Sequence, residues 1–150
     1  MALRIDFLGQ LLSHMRQGTT VWWMDETSTN LWERLHRIWQ PRGRFTVKKS
    51  YGAQRSVTVI GALCGEPAQF FAVIAPTTNA DNVEDFLKKM AAKHDLRGSV
   101  MVMDNHRAHL SYRVKDLLKQ IQCQPLFLPP ASSIFNPIET LWSSVKRRWR

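Results

Sequence analysis

The chain has 150 residues, of which 44% are hydrophobic, 21 are Lys or Arg and 12 are Asp or Glu, so its formal net charge is +9. This composition predicts one globular domain with a hydrophobic core, and it excludes an intrinsically disordered chain. No apolar run approaches the ~20 residues of a membrane span, and the two cysteines, Cys64 and Cys123, are expected to be buried thiols of an intracellular protein.

The N-terminal region predicts a helix followed by a strand. Apolar residues recur at helical spacing from Leu3 to Met15, and Gly18 provides a stop, so residues 1–18 are expected to form an amphipathic leading helix. The segment Thr20–Asp25 is rich in branched and aromatic residues. It predicts a strand that ends at Asp25.

Two further strands are expected before the first internal helix. They are Ser56–Cys64 and Gln69–Ile74, joined by a hairpin turn at Gly65–Pro67. A less regular strand is expected near Arg44–Lys48.

The second half of the chain alternates helices with strands. After Pro76 an apolar stripe predicts a helix capped by Thr78 or Asn79. The apolar run Ser99–Met103 predicts a strand buried on both faces, which leads directly into Asp104. Three more elements are expected: a helix over Leu110–Ile121, a strand over Cys123–Leu128 and a last helix opened by Asn136 and Pro137. This order predicts an α/β fold, a mixed sheet with helices on both faces.

Three carboxylates fall at the ends of predicted elements. Asp25 and Asp104 end strands, and Glu139 begins the last helix. Carboxylates gathered at the carboxyl ends of strands would hold Mg²⁺ or Mn²⁺ in preference to Zn²⁺. Each also has a structural explanation, because an Asp often ends a strand and Glu139 could form a capping box with Asn136.

The basic residues are clustered in the sequence. Such clusters are typical of nucleic-acid binding when aromatic residues are interleaved, as Trp32, Trp39, Phe45 and Tyr51 are here, but they also occur on ordinary solvated surfaces. The candidate DNA-binding residues are Arg34, Arg37, Arg42, Arg44, Lys48, Lys49, Arg55, Lys146, Arg147 and Arg148.

Other chemistries lack a matching pattern. His106 and His109 could be zinc ligands together with a cysteine, but their spacing fits no standard zinc motif. The chain contains no G-x-S-x-G, Walker A or G-x-G-x-x-G motif, so hydrolase-fold and nucleotide-binding interpretations are disfavoured.

Several segments resemble those of mariner-type DDE transposases. They are WWMDET at 22–27, WQPRG at 39–43, MDNHRAH at 103–109, and NPIETLW at 136–142, which follows a Pro-Pro pair. The 34 residues between Asp104 and Glu139 are also similar to the spacing in that superfamily. The resemblance extends from about Thr20 to Arg148.

The resemblance implies a ribonuclease H-like fold, a mixed five-stranded sheet with helices on both faces, in a single domain over residues 1–150. It implies a two-ion site for Mg²⁺, with Mn²⁺ as a substitute. Asp25 would contact both ions, Asp104 would hold one and Glu139 the other. Asn105, His109 and Asn136 would support the metal site or nearby phosphate.

The implied activity is metal-dependent cleavage of DNA at transposable-element ends, followed by transfer of the freed strand to target DNA. DNA would be the partner, a homodimer is a further expectation, and the location would be the cytoplasm or nucleoid in bacteria and the nucleus in eukaryotes. About twenty residues precede the first strand, so the N-terminal DNA-binding domains of that superfamily are expected to be absent. Two alternatives stay open: an inactive DNA-binding or assembly module, and a ribonuclease or repair nuclease of the same fold.

Overall fold

The computed structural model describes residues 2–30 and 56–148. The strand expected near Arg44–Lys48 lies outside the described residues. Within these ranges the elements, in chain order, are α1 Ala2–Arg16, β1 Val21–Asn30, β2 Ser56–Cys64, β3 Gln69–Ala75, α2 Ala80–Ala91, β4 Val100–Met103, α3 Tyr112–Gln120, β5 Gln124–Phe127, a 3-10 turn Ser133–Phe135 and α4 Ile138–Arg148.

The five strands form one mixed sheet in the order β3-β2-β1-β4-β5. The pairs β1–β2 and β2–β3 are antiparallel, whereas β1–β4 and β4–β5 are parallel. The parallel register aligns Trp23 of β1 with Val102 of β4, so Asp25 is level with Asp104 two residues further on. The topology therefore brings two of the predicted carboxylates to the same edge of the sheet.

Hydrophobic residues cover both faces of the sheet. On one face, which we call the α2/α3 face, Trp22, Met24 and Ile60 pack with the buried sides of α2 and α3. On the opposite face Phe7 and Leu11 of α1 pack mainly on β4 and on β5 and the residue after it. The α4 helix lies on this second face as well, because a Cβ atom on Gly61 would be 2.7 Å from the indole of Trp142. Helices on both faces confirm the expected layers.

Strand β1 is longer than the sequence predicts. It continues to Asn30, so the expectation that Asp25 ends the strand is wrong. The physical reason is the antiparallel partner: β2 pairs with β1 from Trp22 to Asn30 and supplies backbone hydrogen bonds after β4 has ended. Asp25 therefore lies inside a strand, with extended backbone on both sides.

The leading helix is present as expected, but its apolar stripe is mostly uncovered. Only Phe7 and Leu11 are buried, whereas Leu3, Leu12 and Met15 are 64%, 49% and 59% exposed. Most of the stripe is uncovered because α1 packs on one narrow strip of the sheet, formed mainly by β4 and β5. No helix in the described ranges has the length and apolarity needed to cross a membrane.

The remaining boundaries agree with the sequence within two residues. The hydrogen bond from the Asn82 N–H to the Asn79 side chain shows that Asn79, rather than Thr78, caps α2. Both cysteines are buried free thiols, as expected.

Candidate active site

A cavity of about 310 Å³ opens beside the carboxyl end of β4. Asp25 reaches it from β1, Asp104 from the turn after β4, and Glu139 from the first turn of α4. The structure therefore brings the three sequence-predicted carboxylates to one cavity, although they are far apart in the chain. Its other lining residues are Asn105, His106, Leu128, Pro129, Pro130, Ala131, Ser132, Ser133 and Asn136.

Asp25 has an unusual environment for a carboxylate. Burial and, after it, the negative charge of Glu139 raise the pKa of Asp25 to about 7, although a hydrogen bond from the Glu26 backbone N–H acts in the opposite direction. The pair Asp25 and Glu139 is thus arranged so that their ionised forms repel one another. A cation placed between them would relieve this repulsion.

Asp104 is half exposed, and hydrogen bonds hold its side chain in place. Its Oδ1 accepts the backbone N–H of His106 at 2.9 Å and the Nδ1–H of His109 at 2.7 Å. The hydrogen bond from His109 holds the pKa of Asp104 below its usual range although partial burial acts against it. The carboxylate is therefore ionised and fixed, and its Oδ2 makes no hydrogen bond within the described ranges.

His109 lies between two carboxylates and has no solvent exposure. Its Nδ1 side faces Asp104, and its Nε2–H donates to Oε1 of Glu26 at 2.6 Å. Burial lowers the pKa of His109, but the hydrogen bonds to Asp104 and Glu26 outweigh it and raise the pKa to about 10. His109 is therefore a buried cation at neutral pH that links β1 to the turn after β4.

Glu26 is a site residue that sequence reasoning missed. The period of two along β1 places it on the same face as Trp22 and Met24, which are buried against α2 and α3. A carboxylate on an apolar face needs a hydrogen-bonding or cationic partner. A carboxylate on the apolar face of β1 is therefore a sign, visible in the sequence, that Glu26 has a buried partner. The sequence does not identify this partner as His109, which is 83 residues away.

Glu139 does not form the capping box considered from the sequence. The backbone N–H of Asn136 donates to the Ser133 carbonyl at 2.8 Å, so it is not paired with the Glu139 carboxylate. Within the described chain, Glu139 makes no side-chain hydrogen bond, and the buried Oδ1 of Asn136 has no partner. The Glu139 carboxylate and the Asn136 Oδ1 are thus free to bind a ligand in the cavity.

Asn105 contacts the cavity wall and not another site residue. Its Nδ2–H donates to the Leu128 carbonyl at 2.6 Å, which ties the turn after β4 to the end of β5. This contact fixes the edge of the cavity next to Asp104.

The described residues contain no group of three or more His, Cys, Asp or Glu side chains close enough to hold a metal ion. The three carboxylates therefore share a cavity without forming a closed ligand cluster. Their chemistry, together with the free Asn136 oxygen, is that of hard oxygen donors, which fits Mg²⁺ or Mn²⁺. Since Cys64 and Cys123 lie apart from it in the core, the zinc interpretation has no support among these residues.

The candidate DNA-binding residues divide into two groups. Arg34, Arg37, Arg42, Arg44, Lys48, Lys49 and Arg55 lie outside the described residues. Lys146, Arg147 and Arg148 are exposed in the last turn of α4. Lys146 follows Glu139 by seven residues, two turns along the helix, so it lies on nearly the same side of α4 as this carboxylate.

Comparison with known proteins agrees with this architecture. The family model described as DDE superfamily endonuclease matches residues 20–150, and the chain belongs to this family. No curated protein matches the sequence.

Solved structures of similar fold include transposase complexes. The Mos1 strand transfer complex is 15% identical with a TM-score of 0.72, covering 99% of this chain and 47% of that one. The Mos1 mariner paired end complex with Mn is 15% identical with a TM-score of 0.66, covering 99% and 48%. An intasome of simian T-cell lymphotropic virus is 11% identical with a TM-score of 0.60, covering 83% and 37%.

The solved structures confirm the ribonuclease H-like fold expected from the sequence, and the family model confirms the expected relation to DDE enzymes. The chain spans about half the length of the Mos1 chains.

Proposed function

We propose that residues 1–150 form the catalytic domain of a transposase, which cleaves DNA at the ends of a transposable element and joins the freed strand to target DNA. The observation that carries the proposal is the cavity that Asp25, Asp104 and Glu139 line together. Membership of the DDE endonuclease family supports it. The similar Mos1 structures include a paired-end complex with a transposon end and a strand transfer complex.

Asp25, Asp104 and Glu139 would hold two Mg²⁺ ions, with Mn²⁺ as a substitute. Their fit is chemical: the donors are oxygens, and the Asp25 and Glu139 charges repel unless a cation neutralises them. The bound ions supply an activated water or hydroxyl and stabilise the leaving oxygen of a phosphodiester.

The protein's own residues prepare the site. Asp104 is kept ionised by the hydrogen bond from His109, so it needs no deprotonation before it binds a ligand. Asn105 and Asn136 position the two loops on either side of the cavity. The attacking oxygen would belong to water in the first cleavage and to the 3′-hydroxyl of the freed strand in the transfer step.

DNA binding would use the basic residues. Lys146, Arg147 and Arg148 extend from the helix that carries Glu139 and can neutralise phosphates near the cavity. We assign the same role to the basic residues between Arg34 and Arg55. A homodimer and a DNA-associated intracellular location complete the proposal, since the two ends of an element must be cut together.

The test is cleavage of supercoiled plasmid DNA by the full chain in Mn²⁺ or Mg²⁺. We expect metal-dependent nicking that Asp104→Asn abolishes, while Asp85→Asn, a change in an exposed residue of α2, leaves it unchanged. Full activity of Asp104→Asn would contradict the assignment. Salt-sensitive DNA binding without cleavage would favour the inactive binding module, and cleavage of an RNA/DNA hybrid alone would favour a ribonuclease.

The metal site is tested separately by anomalous scattering from crystals soaked in Mn²⁺. We expect a peak between Asp25 and Asp104, with Glu139 nearby. A peak elsewhere, with these carboxylates vacant, would contradict the proposed ligands.

A further inference from the structure

The structure assigns a positioning role to Glu26: through His109, it holds the Asp104 carboxylate in the orientation needed to bind metal. This inference rests on the proposed function of the cavity. Glu26 follows Asp25 in β1, yet it lies on the opposite face of the sheet and does not line the cavity. Its effect on the site would therefore be indirect.

The first step of the argument is the burial of His109. The ring has no solvent exposure, so neither nitrogen can be satisfied by bulk water. Glu26, whose side chain is 11% exposed, accepts the Nε2–H at 2.6 Å. Because an unpaired polar atom in a buried site is unfavourable, this contact fixes the ring against rotation.

The second step concerns the opposite edge of the His109 ring, which carries the Nδ1–H. A fixed ring directs its Nδ1–H at Asp104, where the hydrogen bond to Oδ1 is 2.7 Å long and the backbone carbonyl of the same residue lies at 3.2 Å. The backbone N–H of His106 donates to the same oxygen. Oδ1 is thus fully used by the protein, and Oδ2 is the oxygen presented to the cavity.

The third step is what would happen to Asp104 if Glu26 did not hold the His109 ring. A half-exposed carboxylate has several rotamers. If His109 could turn, Asp104 would keep the backbone N–H of His106 but lose the second fixed donor that helps to select one rotamer. Groups that orient a metal ligand in this way commonly change metal affinity or activity 10- to 100-fold when they are removed. Glu26 has the contacts of such a group without contacting the cavity.

The experiment compares the full-length wild type with Glu26→Ala, Glu26→Gln, His109→Asn and the double variant Glu26→Ala/His109→Asn. Asp85→Asn is the control, because Asp85 is an exposed carboxylate that forms an ion pair with Lys89. Binding of Mn²⁺ alone is measured from the EPR signal of the free ion, and thermal unfolding shows whether each variant is folded. Plasmid cleavage gives kcat and KM.

We expect Glu26→Ala to weaken Mn²⁺ binding roughly 10- to 100-fold. Its kcat should fall while KM for DNA stays within about twofold, since Glu26 lies away from the cavity that DNA would enter. Glu26→Gln keeps an oxygen that accepts the Nε2–H and should restore most of the affinity. Asp85→Asn should match the wild type in every assay.

The double variant separates action through His109 from an independent effect. If Glu26 acts through the ring, Glu26→Ala/His109→Asn should bind Mn²⁺ no more weakly than His109→Asn alone. Additive losses would overturn the inference. So would wild-type affinity in a folded Glu26→Ala protein.

A measurement without metal distinguishes failure of this inference from failure of the proposed function. Long-range ¹H–¹⁵N spectra of the His109 ring should show one fixed ring state in the wild type and altered nitrogen shifts in Glu26→Ala. If the wild type neither binds Mn²⁺ nor cleaves DNA, the proposed function is wrong, and unchanged ring shifts in Glu26→Ala would overturn the positioning role independently.

Discussion

Asp104 and Glu139 line the same cavity, but they differ in the hydrogen bonds that hold their side chains in place. Hydrogen bonds from His106 and His109 fix Asp104 before anything binds, and Glu26, whose side chain is 11% exposed, accepts a hydrogen bond from the far side of the His109 ring. Glu139 makes no side-chain hydrogen bond to the described residues, and its charge raises the pKa of Asp25. The Asp104 side of the site is thus organised by folding. On the Glu139 side, the negative charges of Glu139 and Asp25 repel one another, and a bound cation would relieve this repulsion.

The first prediction separates these two parts by stability. Glu139→Gln and Asp104→Ala should both lower cleavage roughly 10²- to 10³-fold, because each removes a proposed metal ligand. Only Asp104→Ala should lower the free energy of unfolding, by roughly 1–3 kcal/mol, since it removes the carboxylate acceptor of the buried His109 and leaves its Nδ1–H only the more distant backbone carbonyl of residue 104, at 3.2 Å. Chemical denaturation measures the difference, and equal stability losses would contradict the comparison.

The second prediction disturbs only the Glu139 side. Gly61 pairs with Asp25 across β1 and β2, and an added Cβ would meet Trp142, one turn beyond Glu139 in α4. Gly61→Ala should therefore shift α4 and destabilise the protein by roughly 1–3 kcal/mol.

Gly65→Ala is the matched control, because nothing lies within 4 Å of the added methyl group. Thermal unfolding of the two variants checks this prediction. A Gly61→Ala protein as stable as the control would show that the α4 contact is loose.

The third prediction concerns the charge of Asp25, which burial and the nearby Glu139 both disfavour. Folding raises its pKa to about 7, so the folded state binds the proton more tightly and stability falls as the pH rises from about 4 to 7. Asp25→Asn should remove that loss and raise the melting temperature by roughly 2–4 °C at pH 8 without metal, and not at pH 4.

With Mg²⁺ at pH 8, the wild type should instead have the higher melting temperature, because the ion stabilises the wild type and not Asp25→Asn. Melting curves at both pH values, with and without EDTA, test this. A variant that is less stable than the wild type at pH 8 without metal would contradict the unfavourable charge assigned to Asp25.

The smallest effect is expected at Arg4. Its guanidinium donates to the Ser132 hydroxyl at 3.1 Å and to the Ala131 carbonyl at 2.9 Å, which links α1 to the loop before Glu139. Arg4 is exposed, so Arg4→Ala should change stability by no more than about 0.5 kcal/mol. Cleavage should fall about twofold, and Arg16→Ala on the same helix should have no effect.

The fold could be predicted from the sequence because its signals are local. Hydrophobic periodicity located α2, α3 and α4, and the fully apolar run before Asp104 identified the buried strand β4. The end of β1 was mispredicted because strand length depends on the partner strand, and the polar residues after Asp25 carry no apolar pattern. The exposure of the α1 stripe could not be predicted either, since a periodic stripe does not show how wide a surface packs against it.

For the candidate site, the sequence identified the carboxylates but not their environment. Asp25, Asp104 and Glu139 were predicted from their neighbours in the chain, and the structure places them on one cavity. The different support of Asp104 and Glu139 could not be predicted, because it depends on the distant contact between Glu26 and His109.

The alternation of Asp25 and Glu26 across β1 restricts how this gene can change over generations. A one-codon insertion or deletion between Val21 and Asp25 would keep both acids but exchange the faces on which they lie. The cavity would then receive the longer glutamate, and His109 would lose its acceptor. Point substitutions in this stretch should therefore be tolerated far more often than single-residue length changes, and any surviving length variant should carry a compensating change in the same strand.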